Sequence, residues 1–413
     1  MTVQGFKVGP DFIDPSHHSR ITGRPSRNLD PFMMGEEGVG ETLVNASEGA
    51  GISVIEGAMG LYDGIDGTDL ASTAQVAKIL GAPVILVIDA KGMSRSVHAQ
   101  IKGFRDFDPD LKIAGVIFNR LGTPRHREMI ESSLRITSFG WIPRREDIAT
   151  KSRHLGLMMG SETGTMKEFG RVVEEFCDVP SIIASAMDAG EMTEVSRKRG
   201  SCHAGPKIGI GLDDAFCFYY QDNFDQIRRC GAEIVFFSPI SNPLPDVHAV
   251  YLGGGYPELH LTELASSPCT RMLKKAAEEG MPVYGECGGL LYLTESINYG
   301  NCFRMCGILP ASAYMTGRVQ ALGYVLGKSN GKDQTTFSRG ISIRGHEFHY
   351  SRVEPDYDAR FALTLSRGKG IRNGKDWLVS GNAVGAYSHA YFSRKFAQSF
   401  VESARQFAGG GES

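Results

Sequence analysis

The stretch Pro282-Val283-Tyr284-Gly285-Glu286-Cys287-Gly288-Gly289-Leu290-Leu291 constrains the fold more than any other part of the chain. Ahead of it, Arg271 to Gly280 reads as a charged, alanine-containing helix closed by a glycine, and Met281 to Tyr284 as a short apolar strand. After Cys287, Leu290-Leu291-Tyr292-Leu293 reads as the start of another helix. A strand, a tight turn bearing one nucleophile and a helix make the elbow used by acyl-transfer enzymes. Gly285, Gly288 and Gly289 leave room for a strained backbone and for close approach of a substrate. The helix that follows would aim its amino end at Cys287 and favour the thiolate. A buried structural cysteine is the competing reading. The glycine pattern and the strand-to-helix setting favour the nucleophile.

The amino-terminal half alternates apolar runs with helical segments. Gly51 to Ile55, Pro83 to Ile88 and Ile113 to Phe118 read as strands, and Leu70 to Leu80 as a helix. Short continuous apolar runs separated by helices predict a parallel sheet covered on both faces. Glu56, Asp89 and Asn119 stand at the carboxyl ends of these runs, where open α/β sheets bind ligands. Residues 191–206 are charged and rich in small residues, and read as a linker. Lys207 to Gly211 starts a second set of strands, continued by Ala232 to Phe237 and Ala249 to Leu252, with a helix at Phe224 to Cys230. The expected organisation is a domain over 1–190, a linker over 191–206 and a second α/β domain over 207–413.

In the second domain, Gly253-Gly254-Gly255-Tyr256-Pro257-Glu258 follows a strand. Flexible glycines there can turn backbone N–H groups toward a developing oxyanion, with Gly254, Gly255 and Gly288 the candidates. A plain tight turn is the alternative. Near the end, Ala383 to His389 reads as one strand delivering His389. A histidine base can take a thiol proton and later protonate a leaving amine. Neither residue alone decides the matter; Cys287 and His389 in one domain do.

The net charge of -3 points to neither a nucleic-acid nor a membrane partner. No apolar run approaches the roughly 18 residues of a spanning helix. Eight cysteines without a regular framework predict a reducing, cytoplasmic setting. Cys302 and Cys306 form a lone C-x3-C, which is weak support for a metal site.

The stretches 253–258, 285–291 and 345–351, with Asp213 to Tyr220, resemble the class I glutamine amidotransferase domain of cobyrinic acid a,c-diamide synthases. Phe6-Lys7-Val8-Gly9-Pro10-Asp11-Phe12-Ile13-Asp14-Pro15 looks like that family's amino-terminal signature. Ile55 to Gly64 looks like its acidic signature, and Arg153 to Leu157 matches as well. The resemblance covers nearly the whole chain. It implies an amino-terminal P-loop-NTPase-like sheet of the dethiobiotin-synthetase kind, followed by the amidotransferase domain.

The resemblance also implies a two-site enzyme. Cys287 and His389 would hydrolyse glutamine and release ammonia. The synthetase site would use ATP and Mg2+ to phosphorylate the a and c carboxylates of cobyrinic or hydrogenobyrinic acid. Ammonia, carried unprotonated by a sheltered route, would displace phosphate. By resemblance the metal role falls on Asp11, Asp14, Glu56 and Asp63, and nucleotide contacts on Lys7 and Asn119. His17 and His18 would lie near the tetrapyrrole. On the residues alone, Asp11 and Asp14 sit in a loop, where solvation or a helix cap is the plainer role. Nickel sirohydrochlorin is an alternative substrate, and a non-catalytic tetrapyrrole-binding relic an alternative function.

Two departures from the family pattern bear on these expectations. The family carries a G-x-x-x-x-G-K-[ST] phosphate cradle before the Phe6-Lys7 signature, and this sequence has none. The expectation is a parallel sheet missing its first strand, with ATP binding weakened. His389 is followed by Ala390-Tyr391 rather than by an acid two residues on, which leaves the partner of the imidazole unassigned.

Overall fold

A computed structural model describes residues 1–145, 152–153, 156–157, 159–160, 167–189, 205–333 and 335–410. The chain divides into two compact units, Met1–Ser196 and Arg197–Ser413. The expected linker at 191–206 lies outside the described residues except for Gly205 and Pro206.

The first unit runs β1 (Val3–Val8), α1 (Ile13–Thr22), β2 (Arg27–Leu29), α2 (Pro31–Ala46), β3 (Ile52–Glu56), α3 (Thr73–Leu80), β4 (Val84–Asp89), α4 (Ser96–Phe107), β5 (Ile113–Leu121), α5 (Pro124–Glu131) and β6 (Ser138–Pro143). The short pair β7 (Ser152–Arg153) and β8 (Gly156–Leu157) precedes α6 (Lys167–Phe176) and α7 (Val179–Ser185). The strands form two parallel sheets, in the orders β2-β1-β3 and β4-β5-β6. Among the described residues β3 and β4 each pair along one edge only, and Val54 and Val87 are exposed on them. α3 ties the two sheets together. Its Ala74 and Ala77 pack with Leu86, Ile88 and Phe118, while Val76 and Leu80 pack with Phe6, Val8 and Leu29. The helix begins at Thr73 rather than at Leu70, because Ser72 caps it through the N–H of Gln75.

The second unit opens with β9 (Lys207–Gly211), α8 (Gln221–Arg229), β10 (Glu233–Phe237), β11 (Ala249–Leu252), α9 (Leu261–Ser266), α10 (Pro268–Glu278), β12 (Val283–Glu286) and α11 (Gly288–Leu293). Next come β13 (Ser296–Tyr299), β14 (Asn301–Arg304), β15 (Ala311–Met315), β16 (Ala321–Ser329), β17 (Ser342–His349) and β18 (Ser351–Pro355). The unit closes with β19 (Arg360–Arg367), β20 (Lys375–Ser380), β21 (Ala383–Ala386), β22 (His389–Tyr391) and α12 (Arg394–Gly410). β10-β9-β11-β12-β21 is parallel, and β20, β19, β16, β17 and β22 extend it in antiparallel pairs. A smaller sheet has the order β14-β13-β15-β18.

Both faces of the parallel half are buried. Val250, Leu252 and Val283 face one core with Leu273, Leu290 and Leu291; Tyr251 and Tyr284 face the other with Phe224, Phe396 and Phe400. This is why the strands read as unbroken apolar runs. Only Tyr387 and Ser388 separate β21, inside the ten-stranded sheet, from β22 at its end. Two residues span at most about 7 Å, so the antiparallel half must curl back on itself. The curl carries β17 alongside His389, with His346 opposite it in register.

Candidate active site

The expected elbow is present. β12 lies between β11 and β21, all of its residues buried, and ends at Cys287. Cys287 has φ 47° and ψ −99°, a conformation that L residues adopt only when their surroundings hold them there. Its N–H is tied to Ala386 O at 2.7 Å, and Gly289 N–H is tied to Gly253 O at 3.0 Å. The thiol points at the Phe348 carbonyl, 3.8 Å away.

One expectation about this cysteine is corrected. Burial pushes the thiol up to about 12, with the Glu258 charge adding to it and the Gly288 N–H pulling back. The helix end does face the thiol, but α11 has only six residues and desolvation outweighs it.

His389 does not end a continuous strand. β21 stops at Ala386 and β22 starts at His389. The buried Asp376 carboxylate explains the break: it accepts the N–H groups of Tyr387 and Ser388 at 3.0 and 3.1 Å and the Ser388 hydroxyl at 2.6 Å. Backbone donors that leave the ladder thus find a partner. The imidazole of His389 stacks on His346, with centroids 4.9 Å apart and planes 15° apart. His346 is itself held by Tyr220, 2.7 Å from its Nδ1. Burial pulls His389 well below its ordinary value, and the neighbouring His346 and His349 add to this; His346 is pulled to about 3 by burial alone. His389 is therefore a neutral imidazole at neutral pH, able to accept a proton.

The glycine loop approaches His389 and, at Gly255, the residue that follows Cys287. A Cβ on Gly254 would collide with Cε1 of His389, and one on Gly288 would lie 3.2 Å from Gly255 N and 3.0 Å from Pro257 Cδ. Gly255 has φ 153°, and a side chain there would strike the Ala215 carbonyl. The loop is anchored to the Asp213–Tyr220 stretch, because the Gly254 carbonyl accepts from the N–H groups of Cys217 and Phe218. Gly254, Gly255 and Gly288 thus surround the elbow, and a side chain would obstruct each.

Sequence reasoning missed four residues. Glu286 precedes the nucleophile and is 1% exposed, with Oε2 3.9 Å from His389 Nδ1. Asp376 sets the break before His389. His346 forms one wall of the imidazole site. Glu258, whose carboxyl burial pushes up to about 7, acts on the Cys287 thiol. Glu286 and Glu258 stood inside motifs already singled out, so their position was a usable signal. Asp376, 13 residues before His389, gave none.

In the first unit, Lys7 is buried and its Nζ lies 2.6 Å from Asp14, 3.3 Å from Glu56 and 3.0 Å from the Gly57 carbonyl. Burial alone would pull Lys7 down, but Asp14, Glu56 and Asp11 together hold it up. His18 Nε2 meets Glu56 at 2.7 Å, and although partial desolvation opposes it, this contact and the Lys7 charge keep the half-exposed Glu56 low. Asp11 and Asp14 do not share a loop. Asp14 is in the first turn of α1, and Asp11 caps that turn by accepting from the N–H groups of Ile13 and Asp14 at 2.7 and 3.2 Å. Burial, then the Asp14 charge, raises Asp11. Asp63 accepts from the Gly60 N–H in its own turn. Asn119 accepts from the Arg120 N–H, and Arg120 pairs with Asp89 at 2.8 Å.

Among the described residues no group of three His, Cys, Asp or Glu side chains is placed to hold a metal by itself. Asp11 and Asp14, crowded beside a single lysine, suit a magnesium ion that takes its remaining oxygens from phosphate and water.

A strand-to-helix cysteine, a buried histidine and a glycine loop at the carboxyl ends of a parallel sheet define a glutamine amidotransferase. Residues 207–396 match a model of the CobB/CobQ-like glutamine amidotransferase domain, and residues 36–152 match one of an AAA domain. The chain is 42% identical to a cobyrinate a,c-diamide synthase of Methanosarcina barkeri, covering 98% of this chain and 90% of the relative. The corresponding values are 43%, 98% and 90% for the enzyme so named in Methanosarcina acetivorans, and 40%, 98% and 94% for that of Methanothermobacter thermautotrophicus. The chain belongs to the cobyrinate a,c-diamide synthase family and is a glutamine-dependent carbon–nitrogen ligase. Among the described residues no helix is long and apolar enough to cross a membrane.

Proposed function

We propose that this chain converts the a and c carboxylates of cobyrinic acid to amides, using glutamine as the nitrogen source and ATP to activate each carboxylate. The observation that carries the reading is the 253–255 loop, which meets His389 at Gly254 and the residue after Cys287 at Gly255, in a chain related over 98% of its length to cobyrinate a,c-diamide synthases.

Cys287 attacks the side-chain amide of glutamine. His389 takes the thiol proton and delivers it to the departing nitrogen, so that ammonia leaves and a thioester forms. The N–H of Gly288 and those of Gly254 or Gly255 receive the charge that develops on the carbonyl oxygen. Water then releases glutamate and restores the thiol. In the synthetase unit, over 1–190, the terminal phosphoryl group of ATP passes to a carboxylate oxygen of the corrinoid. The acyl phosphate gives that carboxyl a leaving group, and ammonia displaces it. Asp11 and Asp14 would hold Mg2+, which when bound would neutralise phosphate charge. Lys7 sets the charge balance of Asp14 and Glu56, and Asn119, near the carboxyl end of β5, would contact the nucleotide base.

Replacement of Cys287 separates the two half-reactions. Cys287→Ser should abolish amidation supported by glutamine and leave amidation supported by ammonium chloride, followed by mass spectrometry of the corrinoid. Glutamine-supported turnover in the variant would overturn the assignment.

A further inference from the structure

We propose that Glu286 is the positioning residue for His389, standing in for the acid that other triad amidotransferases carry two residues beyond the histidine. The inference rests on the reading of Cys287 and His389 as the reacting pair.

His389 and Glu286 are both buried, and Glu286 Oε2 lies at ion-pair distance, 3.9 Å, from His389 Nδ1. The carboxylate is fixed by donors on three elements. Tyr251 on β11 donates to Oε2 at 2.9 Å; Tyr284 on β12 and the Ala390 N–H on β22 donate to Oε1 at 3.0 and 2.9 Å. The Ala390 bond matters most, because it ties the carboxylate to the residue that follows His389. Glu286 therefore connects the nucleophile's strand to the base's strand through one side chain.

Burial pushes Glu286 up to about 8, against the pull of the Ala390 N–H, Tyr251 and Tyr284; in its ionised form it faces Nδ1 and selects the tautomer with its proton there, leaving Nε2 as the acceptor. When Nε2 takes the thiol proton, Glu286 faces an imidazolium, and attraction between two buried charges is strong. The acid at this point comes from the residue before the nucleophile, which explains how the chain manages with Ala390-Tyr391 after the histidine.

Glu286→Gln tests this in the full chain. With its NH2 group in the place of Oε2, its oxygen can still accept from Tyr284 and Ala390, while the NH2 faces Nδ1 and favours the tautomer whose Nε2 carries the proton. Glutamine hydrolysis should then fall about 10- to 1,000-fold in kcat, with KM for glutamine within about threefold. Glu286→Asp should recover part of the loss. The second readout needs no turnover: 15N NMR of ring-labelled histidine should show the Nδ1–H tautomer for His389 in the parent and its loss in Glu286→Gln. A kcat within twofold of the parent, or an unchanged His389 tautomer, would overturn the proposal, as would a loss that appears in KM alone. Failure of the functional reading would look different: the parent itself would not hydrolyse glutamine, while the tautomer measurement would still decide the Glu286 contact.

Discussion

The Asp376 carboxylate accepts both the backbone N–H of Ser388, at 3.1 Å, and its hydroxyl, at 2.6 Å. Through that bond and the one to Tyr387, the sheet can break between β21 and β22 and restart at His389. The proposed base therefore depends on a carboxylate that holds the two residues before it.

Asp376→Ala should destabilise the amidotransferase unit by roughly 3–5 kcal/mol, because buried donors lose their acceptor at about 1–3 kcal/mol each. Urea unfolding followed by aromatic fluorescence measures this. Asp376→Asn keeps an acceptor and should cost less while still lowering glutamine hydrolysis. Parent-like stability in the alanine variant would mean that Tyr387 and Ser388 find other acceptors.

Gly254→Ala tests the loop beneath the imidazole. The added methyl meets Cε1 of His389, so the ring or the loop must move. A displacement of about 1 Å can cost 10²-fold in rate. Glutamine hydrolysis should fall by that order while ammonia-supported amidation survives. Normal hydrolysis would show that the loop can yield without disturbing the base.

Much of the site was legible because its chemistry is local in sequence. The elbow around Cys287 and the 253–255 loop are short runs whose glycines are demanded by nearby backbone, so composition and spacing reveal them. The parallel strands were legible for a similar reason: successive residues such as Val250 and Tyr251 are buried on opposite faces of one strand, leaving unbroken apolar runs. What escaped depends on contacts distant along the chain. The break before His389 is set by Asp376, and the curl that brings β17 to β22 runs through β20, β19 and β16, strands that carry no motif. Asp14 read as a loop residue because its helix begins at Ile13, a start marked only by the N–H groups that Asp11 accepts.

Asp14→Asn and Glu56→Gln should each lower synthetase turnover about tenfold or more, a loss of roughly 1.4 kcal/mol in transition-state stabilisation. The loss should be the same with glutamine or ammonium chloride, since both carboxylates lie in the unit proposed to activate the corrinoid. Both contact Lys7, so each change also leaves that buried ammonium short of a partner. Normal ammonia-dependent turnover in both variants would make the cluster structural.

The last prediction concerns the resting thiol. Cys287 is pushed up to about 12, by burial first and then by Glu258, while His389 is pulled well below its ordinary value. Both shifts favour neutral thiol beside neutral imidazole over thiolate beside imidazolium. The free enzyme should therefore be a poor nucleophile until glutamine binds and the developing oxyanion gains its donors. Only the thiolate reacts with iodoacetamide, and far below the thiol pKa its fraction rises about tenfold per pH unit. Alkylation of Cys287, followed by peptide mass spectrometry, should accordingly rise about tenfold per unit between pH 7 and 9. Glu258→Gln removes the adjacent negative charge, so it should lower the thiol pKa and speed alkylation at fixed pH. A rate independent of pH across that range would show a preformed thiolate–imidazolium pair, and the account of a quiet resting site would be wrong.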